Sequence, residues 1–225
     1  MKYTTPYMPP TLTVDAVIFQ LVNNELNVLL LKRLNDPFKD TWALPGGYNA
    51  EGETTKAALS RIVNSKTGVD IDKDLTYVEQ LFTFDTIDRD PRGHAVSVTY
   101  MGFARDISES ISKENAALFP VNSLPDLAYD HASIIKYAHQ RLASKLTYTN
   151  AMFAFLPPTF TLTELQLAYE AIIGRELDKR NFRKKFLSLE FLEETNEMRR
   201  DGAYRPAKLY RFKSQSLVAL SRSFD

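Results

Sequence analysis

The sequence predicts an α+β chain in two units: a mixed-sheet α/β/α sandwich over residues 1–148, then a helix–turn–helix closed by a basic hairpin over residues 149–225. Three observations predict it. Strand-like runs lie both before and after one helix-forming stretch in the first part, the mark of a mixed domain. A tandem proline, Pro157-Pro158, then interrupts the chain, where a helix cannot continue and the link is stiffened. Positive charge gathers beyond it: residues 151–225 carry 13 Lys/Arg against 10 Asp/Glu, whereas residues 1–150 carry 15 against 18.

Thr11–Leu21 (TLTVDAVIFQL) is rich in β-branched residues and reads as a strand, paired through a turn at Asn23-Asn24 with Leu26–Arg33. A loop, Asn35 to Asp40, leads to Trp42-Ala43-Leu44-Pro45-Gly46-Gly47, in which Trp42 is read as structural. Glu53 to Lys66 holds good helix formers, and Gly68 is a natural stop. Leu75–Asp85 and Ala95–Ala104 read as strands around a polar loop, Asp88 to Gly93, and His131–Leu146 as a closing helix. In the second unit, Thr161-Leu162-Thr163-Glu164 fits a capping box. The helix it starts carries Leu165, Ala168, Tyr169 and Ile172 on one face and stops at Gly174. A second helix follows Asp178 and turns Phe182, Phe186 and Leu189 inward. Arg199-Arg200-Asp201-Gly202 is a hairpin-turn signal, and Ala207–Phe212 a short strand.

Composition sets outer bounds. Hydrophobic residues at 44% and charged residues at 25% are ordinary for a folded chain. With no cysteine, disulfides and thiolate metal sites are excluded. No apolar run approaches the roughly 18 residues that span a bilayer. Met1 to Pro6 lacks the apolar core of a signal peptide, so a cytoplasmic protein is expected.

The run Gly47 to Val69 resembles the Nudix box, G-x5-E-x7-R-E-U-x-E-E-x-G-U with U a large aliphatic residue. Gly47, Glu53, Arg61, Val63, Gly68 and Val69 fall on it in register, after the usual lead-in Trp42 to Gly46. The resemblance covers roughly the first 145 residues. It implies a fold that, in its enzymes, cleaves a nucleoside diphosphate linked to another moiety with Mg²⁺ held chiefly by the box glutamates. Three of those glutamates fall here on Ile62, Ser65 and Lys66. A hard divalent cation needs oxygen ligands to neutralise the departing phosphate and activate water. Isoleucine offers none, serine a weak neutral one, and lysine a competing positive charge. The chain is therefore expected not to be an enzyme and to need no metal or cofactor. Glu53 remains and is kept among the candidate ligand-binding residues; one carboxylate is a poor Mg²⁺ site, and the alternative to a metal ligand is an acid favoured by a helix N-terminus.

A pocket can outlive its chemistry. Arg33, the backbone of Gly46 and Gly47, and the loop Arg89-Asp90-Pro91-Arg92-Gly93 with His94 offer donors for phosphate and ribose oxygens. That loop is similar to one in Nudix domains tied to ADP-ribose and NAD metabolism; read alone, it is also an ordinary salt-bridged turn. Phe38, Phe82, Phe84 and Tyr100 are candidates to stack on a purine, with core packing as the alternative for each.

The second unit has the element order of a winged helix-turn-helix, whose second helix enters the major groove of DNA while the wing grips the backbone. With its apolar stripe turned inward, Lys179, Arg180, Asn181, Arg183 and Lys184 face outward; Arg and Asn are the usual bidentate readers of guanine and adenine. Arg199, Arg200, Tyr204, Arg205 and Lys208 surround the wing turn as phosphate contacts.

A degenerate Nudix domain followed by a winged helix is similar to the Nudix-related transcriptional regulators of NAD metabolism in bacteria. The resemblance implies a homodimer on a palindromic double-stranded DNA operator, acting as a repressor released by ADP-ribose or a related nucleotide effector. It implies no membrane partner. The rival expectation is an active hydrolase of ADP-ribose-like substrates with an appended binding domain, its metal ligands drawn from outside the box, for example Glu79 or Asp85. A protein-interaction role for the second unit is the remaining alternative.

Overall fold

The computed structural model describes residues 8–200 and 206–219. The first unit is built on β1 (Thr11–Val22), whose interior is buried almost end to end. Such a strand must bury both faces, and its alternation divides the core in two. Val14, Ala16 and Ile18 meet one helix layer; Val17 and Phe19 meet the other. β2 (Glu25–Lys32) returns antiparallel through Asn23 and Asn24, both at positive φ as a tight hairpin turn requires. On the other side β1 runs parallel to β6 (Ala95–Ala104), which pairs antiparallel with β5 (Tyr77–Phe84). Short strands complete the sheet: β3 (Trp42–Ala43) and β7 (Ala116–Pro120) on β2, and β4 (Gly46–Tyr48) on the first half of β1.

Helix α1 (Thr55–Thr67) covers one face through Ala58, Leu59, Ile62 and Val63. It starts two residues later than its composition predicts, because Thr54 caps it: the Thr54 hydroxyl accepts the Ala57 N–H at 3.2 Å. Gly68 ends it at φ 91, where a side chain would be strained. Helix α2 (His131–Lys145) covers the other face through Ile134, Ile135, Ala138 and Leu142.

The second unit packs on α2. Helices α3 (Leu162–Ile173) and α4 (Lys179–Ser188) lead into a two-stranded wing, β8 (Leu192–Arg199) and β9 (Ala207–Phe212). Strand β8 goes unread in the sequence because only Leu192 and Met198 in it are apolar. The connection between units is not an exposed linker. Ala151 to Leu156 are at most 6% accessible and belong to one core that runs from Phe19 and Phe103 through Phe153 and Phe160 to Phe182 and Phe212. Each fully buried Leu or Phe contributes roughly 1.5–3 kcal/mol, so this continuity ties the units firmly. No helix among the described residues is long and apolar enough to cross a membrane.

Candidate functional site

The sheet, α1 and the N-terminus of α2 enclose a cleft of about 710 Å³, within the range of small-molecule sites. Its floor is a buried charge network. Asp15, the one acid inside the apolar β1, is 5% accessible and sits in register with Gly46 on β4. A Cβ on Gly46 would lie 1.9 Å from Asp15 Oδ1, so only glycine fits there. Asp15 Oδ2 accepts hydrogen bonds from Ser97 Oγ at 2.5 Å and from Arg89 Nη2 at 3.4 Å. Arg89, 8% accessible, forks onto Asp130 with Nε and Nη2 at 3.0 and 2.9 Å. A buried guanidinium is tolerable because two carboxylates answer it. Beside it His131 accepts the Leu44 N–H at Nδ1 (2.9 Å) and places Nε2 3.8 Å from Asp15 Oδ1. Burial pushes the His131 pKa below the ordinary histidine value, against the opposing pull of Asp15.

The rim is aromatic and cationic. The Arg33 guanidinium lies 4.9 Å above the Tyr129 ring and is braced by Nε on the Pro37 carbonyl at 2.8 Å. Arg92 forks onto Asp90 at 3.0 and 2.6 Å, and lies 5.4 Å from the Tyr48 ring and 5.8 Å from that of Tyr129. Such placements favour the charged guanidinium, and the Asp90 carboxylate holds the Arg92 pKa well above its usual range. The buried Tyr129 hydroxyl has no hydrogen-bond partner among the described residues.

Arg33, Gly46, Gly47, Arg89 and Arg92 therefore line the cleft, although Arg89 is already committed to Asp130 and Asp15. Two candidates are not brought there. Glu53 is clasped by Arg61, with Nε to Oε1 at 2.8 Å and Nη2 to Oε2 at 2.7 Å, and accepts the Ala50 N–H at 3.0 Å. It fastens the loop entering α1 and does not line the cleft. His94 is exposed beyond the loop, where its carbonyl accepts the Thr11 N–H. Of the stacking candidates, Tyr100 is buried with its hydroxyl on Thr55, Phe82 and Phe84 cluster with Tyr137, and Phe38 packs edge-on against Tyr129. The cleft instead presents Tyr48 and Tyr129. Asp15, Tyr48, Tyr129 and His131 escaped the sequence reading. A lone carboxylate in an apolar strand was the available signal for Asp15, since a buried charge needs partners.

The box positions do not fit a divalent metal. Ile62 packs its side chain beneath Gly47, Ser65 Oγ donates to the Ile62 carbonyl at 3.2 Å, and Lys66 Nζ donates to the Gly46 carbonyl at 2.5 Å. Glu79 is held by Lys145 Nζ at 2.9 Å and the Tyr77 hydroxyl at 2.7 Å, and Asp85 is exposed away from the cleft. Among the described residues no group of three or more His, Asp or Glu side chains is placed to hold a metal ion.

In the second unit the Thr161 hydroxyl and the Glu164 carboxylate cap α3 reciprocally, and Asp178 caps α4. Phe182 and Phe186 turn inward under Tyr169, with ring centroids 5.6 and 4.8 Å away. Leu189, predicted to complete this stripe, lies at the helix end and is half-buried. Lys179, Arg180, Asn181 and Lys184 are exposed, as is Lys185. Arg183 instead reaches back, half-buried, to the Thr163 hydroxyl at 3.2 Å. In the wing Arg199 pairs with Glu164 and Lys208 with Glu194, while Arg200 is exposed. Tyr204 and Arg205 lie outside the described residues.

This fold and these two surfaces define a NUDIX-domain protein fused to a winged helix. The NUDIX domain model matches residues 11–138, and the NrtR DNA-binding winged helix domain model matches residues 152–212. The chain belongs to the NrtR family. It is 38% identical over 217 residues to the ADPR responsive transcriptional repressor NtrR of Acinetobacter baylyi, covering 93% of this chain and 84% of that protein. Shewanella oneidensis NrtR, solved in complex with a 27mer DNA, is similar at 33% identity and a TM-score of 0.77, covering 90% of this chain and 93% of that one. The NUDIX domain of the same Shewanella protein, solved with ADP ribose, aligns at 34% identity and a TM-score of 0.53 over 63% of this chain and 94% of that one.

Proposed function

We propose that this chain is an ADP-ribose-responsive transcriptional repressor of NAD metabolism genes that binds DNA as a homodimer and does not hydrolyse its ligand. One observation carries the reading: a basic cleft whose box carboxylates are replaced by Ile62, Ser65 and Lys66 shares a continuous core with a helix that exposes Lys179, Arg180 and Lys184. The sensing unit is residues 1–148 and the DNA-binding unit residues 149–225. In the first, Arg33, Arg92 and the Gly46–Gly47 backbone meet the diphosphate, and Tyr48 and Tyr129 meet the adenine or ribose.

In the second unit α4 enters the major groove, with Arg180, Asn181 and Lys184 toward base edges. Lys179, Arg183, Arg199, Arg200, Tyr204, Arg205 and Lys208 serve the phosphates or hold the reading geometry. Two copies related by a two-fold axis would read half-sites of a palindrome about one helical turn apart. Ligand acts by favouring a dimer geometry that no longer matches that spacing. A DNA-bound regulator of a bacterial chromosome works in the cytoplasm.

The test is a gel shift on the DNA upstream of the chain's own operon, titrated with ADP-ribose. Retarded DNA that is released as ADP-ribose rises supports the reading. DNA binding indifferent to ADP-ribose, or no DNA binding at low salt, overturns it. The hydrolase alternative is tested by phosphate release from ADP-ribose with Mg²⁺: turnover abolished by Glu53→Gln would replace sensing with cleavage.

A further inference from the structure

The cleft is charged against the trend of its own unit. Residues 1–150 are net acidic, with 15 Lys/Arg against 18 Asp/Glu, yet seven Lys/Arg and three Asp line the cleft. Three of these seven cations are already answered by carboxylates. Arg61 holds Glu53, Arg89 lies between Asp15 and Asp130, and Arg92 forks onto Asp90. Lys66 is different. Its ammonium donates to a neutral acceptor, the Gly46 carbonyl, and among the described residues no carboxylate stands within ion-pairing distance of it.

The position of Lys66 is also fixed. It follows Ile62 by one helical turn, so the two share a face of α1, and Ile62 is wedged under Gly47. Lys66 Nζ lies 3.7 Å from where a Gly47 Cβ would stand, so the ammonium is seated against the Gly46–Gly47 backbone. The side chain is exposed at the cleft, but the protein around its ammonium partly desolvates it. That partial desolvation lowers the Lys66 pKa, with Arg33, Arg61 and Arg92 adding to the effect and Asp15 opposing it. An ammonium has three donors, and the Gly46 carbonyl uses one. Two remain for an oxyanion, in a site whose neighbouring charges leave the ammonium short of negative partners.

We infer that Lys66 is the resident cation of the cleft: its ammonium, in place of a divalent metal ion, meets the diphosphate of the bound nucleotide and makes binding independent of metal. The inference rests on the reading that the cleft takes ADP-ribose or a related nucleoside diphosphate. It also gives the departure from the box a positive content. The substitution at position 66 removes a metal ligand and supplies the charge the metal would have brought, at a point where the ammonium cannot activate water for attack.

The experiment is calorimetric titration of the full-length protein with ADP-ribose, in EDTA and in Mg²⁺, for the wild type, Lys66→Met and Lys66→Arg, with a thermal melt of each to confirm folding. The wild type is expected to bind with the same Kd in both buffers, and Lys66→Arg to stay close to it. Lys66→Met is expected to bind about tenfold more weakly in both, the loss of one charge-assisted hydrogen bond. A wild-type Kd that Mg²⁺ tightens tenfold, or a folded Lys66→Met that binds like wild type, overturns the role of Lys66 while leaving the functional reading intact. A folded wild type that gives no binding in either buffer overturns the functional reading itself, and this inference with it.

Discussion

His139 Nε2 lies 2.6 Å from the carbonyl oxygen of Ile172, joining the middle of α2 to the last turn of α3. A carbonyl only accepts, so Nε2 carries the proton and donates it. Ile172 is among the last residues of α3, whose carbonyls lack partners within the helix. Two turns earlier on α2, roughly 12 Å along its axis, Asp130 and His131 close the floor of the cleft. One rigid helix thus touches the ligand pocket at its start and the winged helix along its length, where Leu142 and Leu146 join the shared core.

If α2 carries the signal, breaking the His139 joint should weaken coupling more than either binding event. His139→Leu is expected to bind DNA and ADP-ribose separately at close to wild-type affinity. The ratio of DNA affinities without and with ADP-ribose should shrink about three- to tenfold, the scale of one hydrogen bond. Fluorescence anisotropy on labelled operator DNA measures both numbers; an unchanged ratio would route the signal elsewhere.

Tyr129 gives a prediction with opposite signs in the free and bound protein. Its hydroxyl is buried and has no hydrogen-bond partner among the described residues; a buried polar group left so costs about 1–3 kcal/mol. Tyr129→Phe should therefore raise the melting temperature of the free protein. The same change removes a donor from the pocket, so ADP-ribose should bind about three- to tenfold more weakly. A melt with and without ligand reads both effects. Lower stability without ligand would mean that the hydroxyl has a partner in solution.

What could be read from the residues in order was local. The Asn23-Asn24 turn, the Gly68 stop and the Thr161–Glu164 capping box depend on neighbours a few positions away, and each stands where its chemistry places it. The cleft floor could not be read so. Asp15, Arg89 and His131 lie far apart in sequence and meet only because β1 and the start of α2 are brought together by the sheet. Glu53 keeps its place in the motif, yet its charge is spent on Arg61, a choice settled by side-chain geometry. The acidic strand β8 lacks an apolar alternation; its pairing with β9 is supported by ion pairs from Glu193 to Arg211 and from Glu194 to Lys208.

On α4 the exposed cations separate from the one that is engaged. Arg180 and Lys184 stand clear of the core, whereas Arg183 braces Thr163 on α3. Arg180→Ala and Lys184→Ala should each weaken operator binding without lowering the melting temperature. Removing a cation that neutralises a phosphate should reduce the slope of log affinity against log salt by about 1. A variant that loses discrimination between operator and random DNA, with its slope unchanged, would assign that residue to a base edge. Affinity unaffected by both changes would remove α4 from the interface.

The Glu53–Arg61 clasp predicts an acid titration that separates a fastener from a ligand. Two hydrogen bonds from Arg61 and one from the Ala50 N–H favour the carboxylate, and hold its pKa at about 2 against an ordinary 4.5. A carboxylate depressed on folding contributes stability above its unfolded pKa, and that contribution is lost as pH falls through the folded value. The loop from Gly47 to Glu53 should accordingly stay fastened from neutral pH down through 4.5 and loosen only toward about 2. Carboxyl NMR of labelled Glu53 should show a midpoint near that value, unmoved by ADP-ribose because Glu53 stands outside the cleft. Arg61→Met should return the midpoint toward 4.5, since the larger part of the shift comes from that guanidinium. A wild-type midpoint near 4.5, or one that ADP-ribose displaces, would put Glu53 back among the groups that meet the ligand.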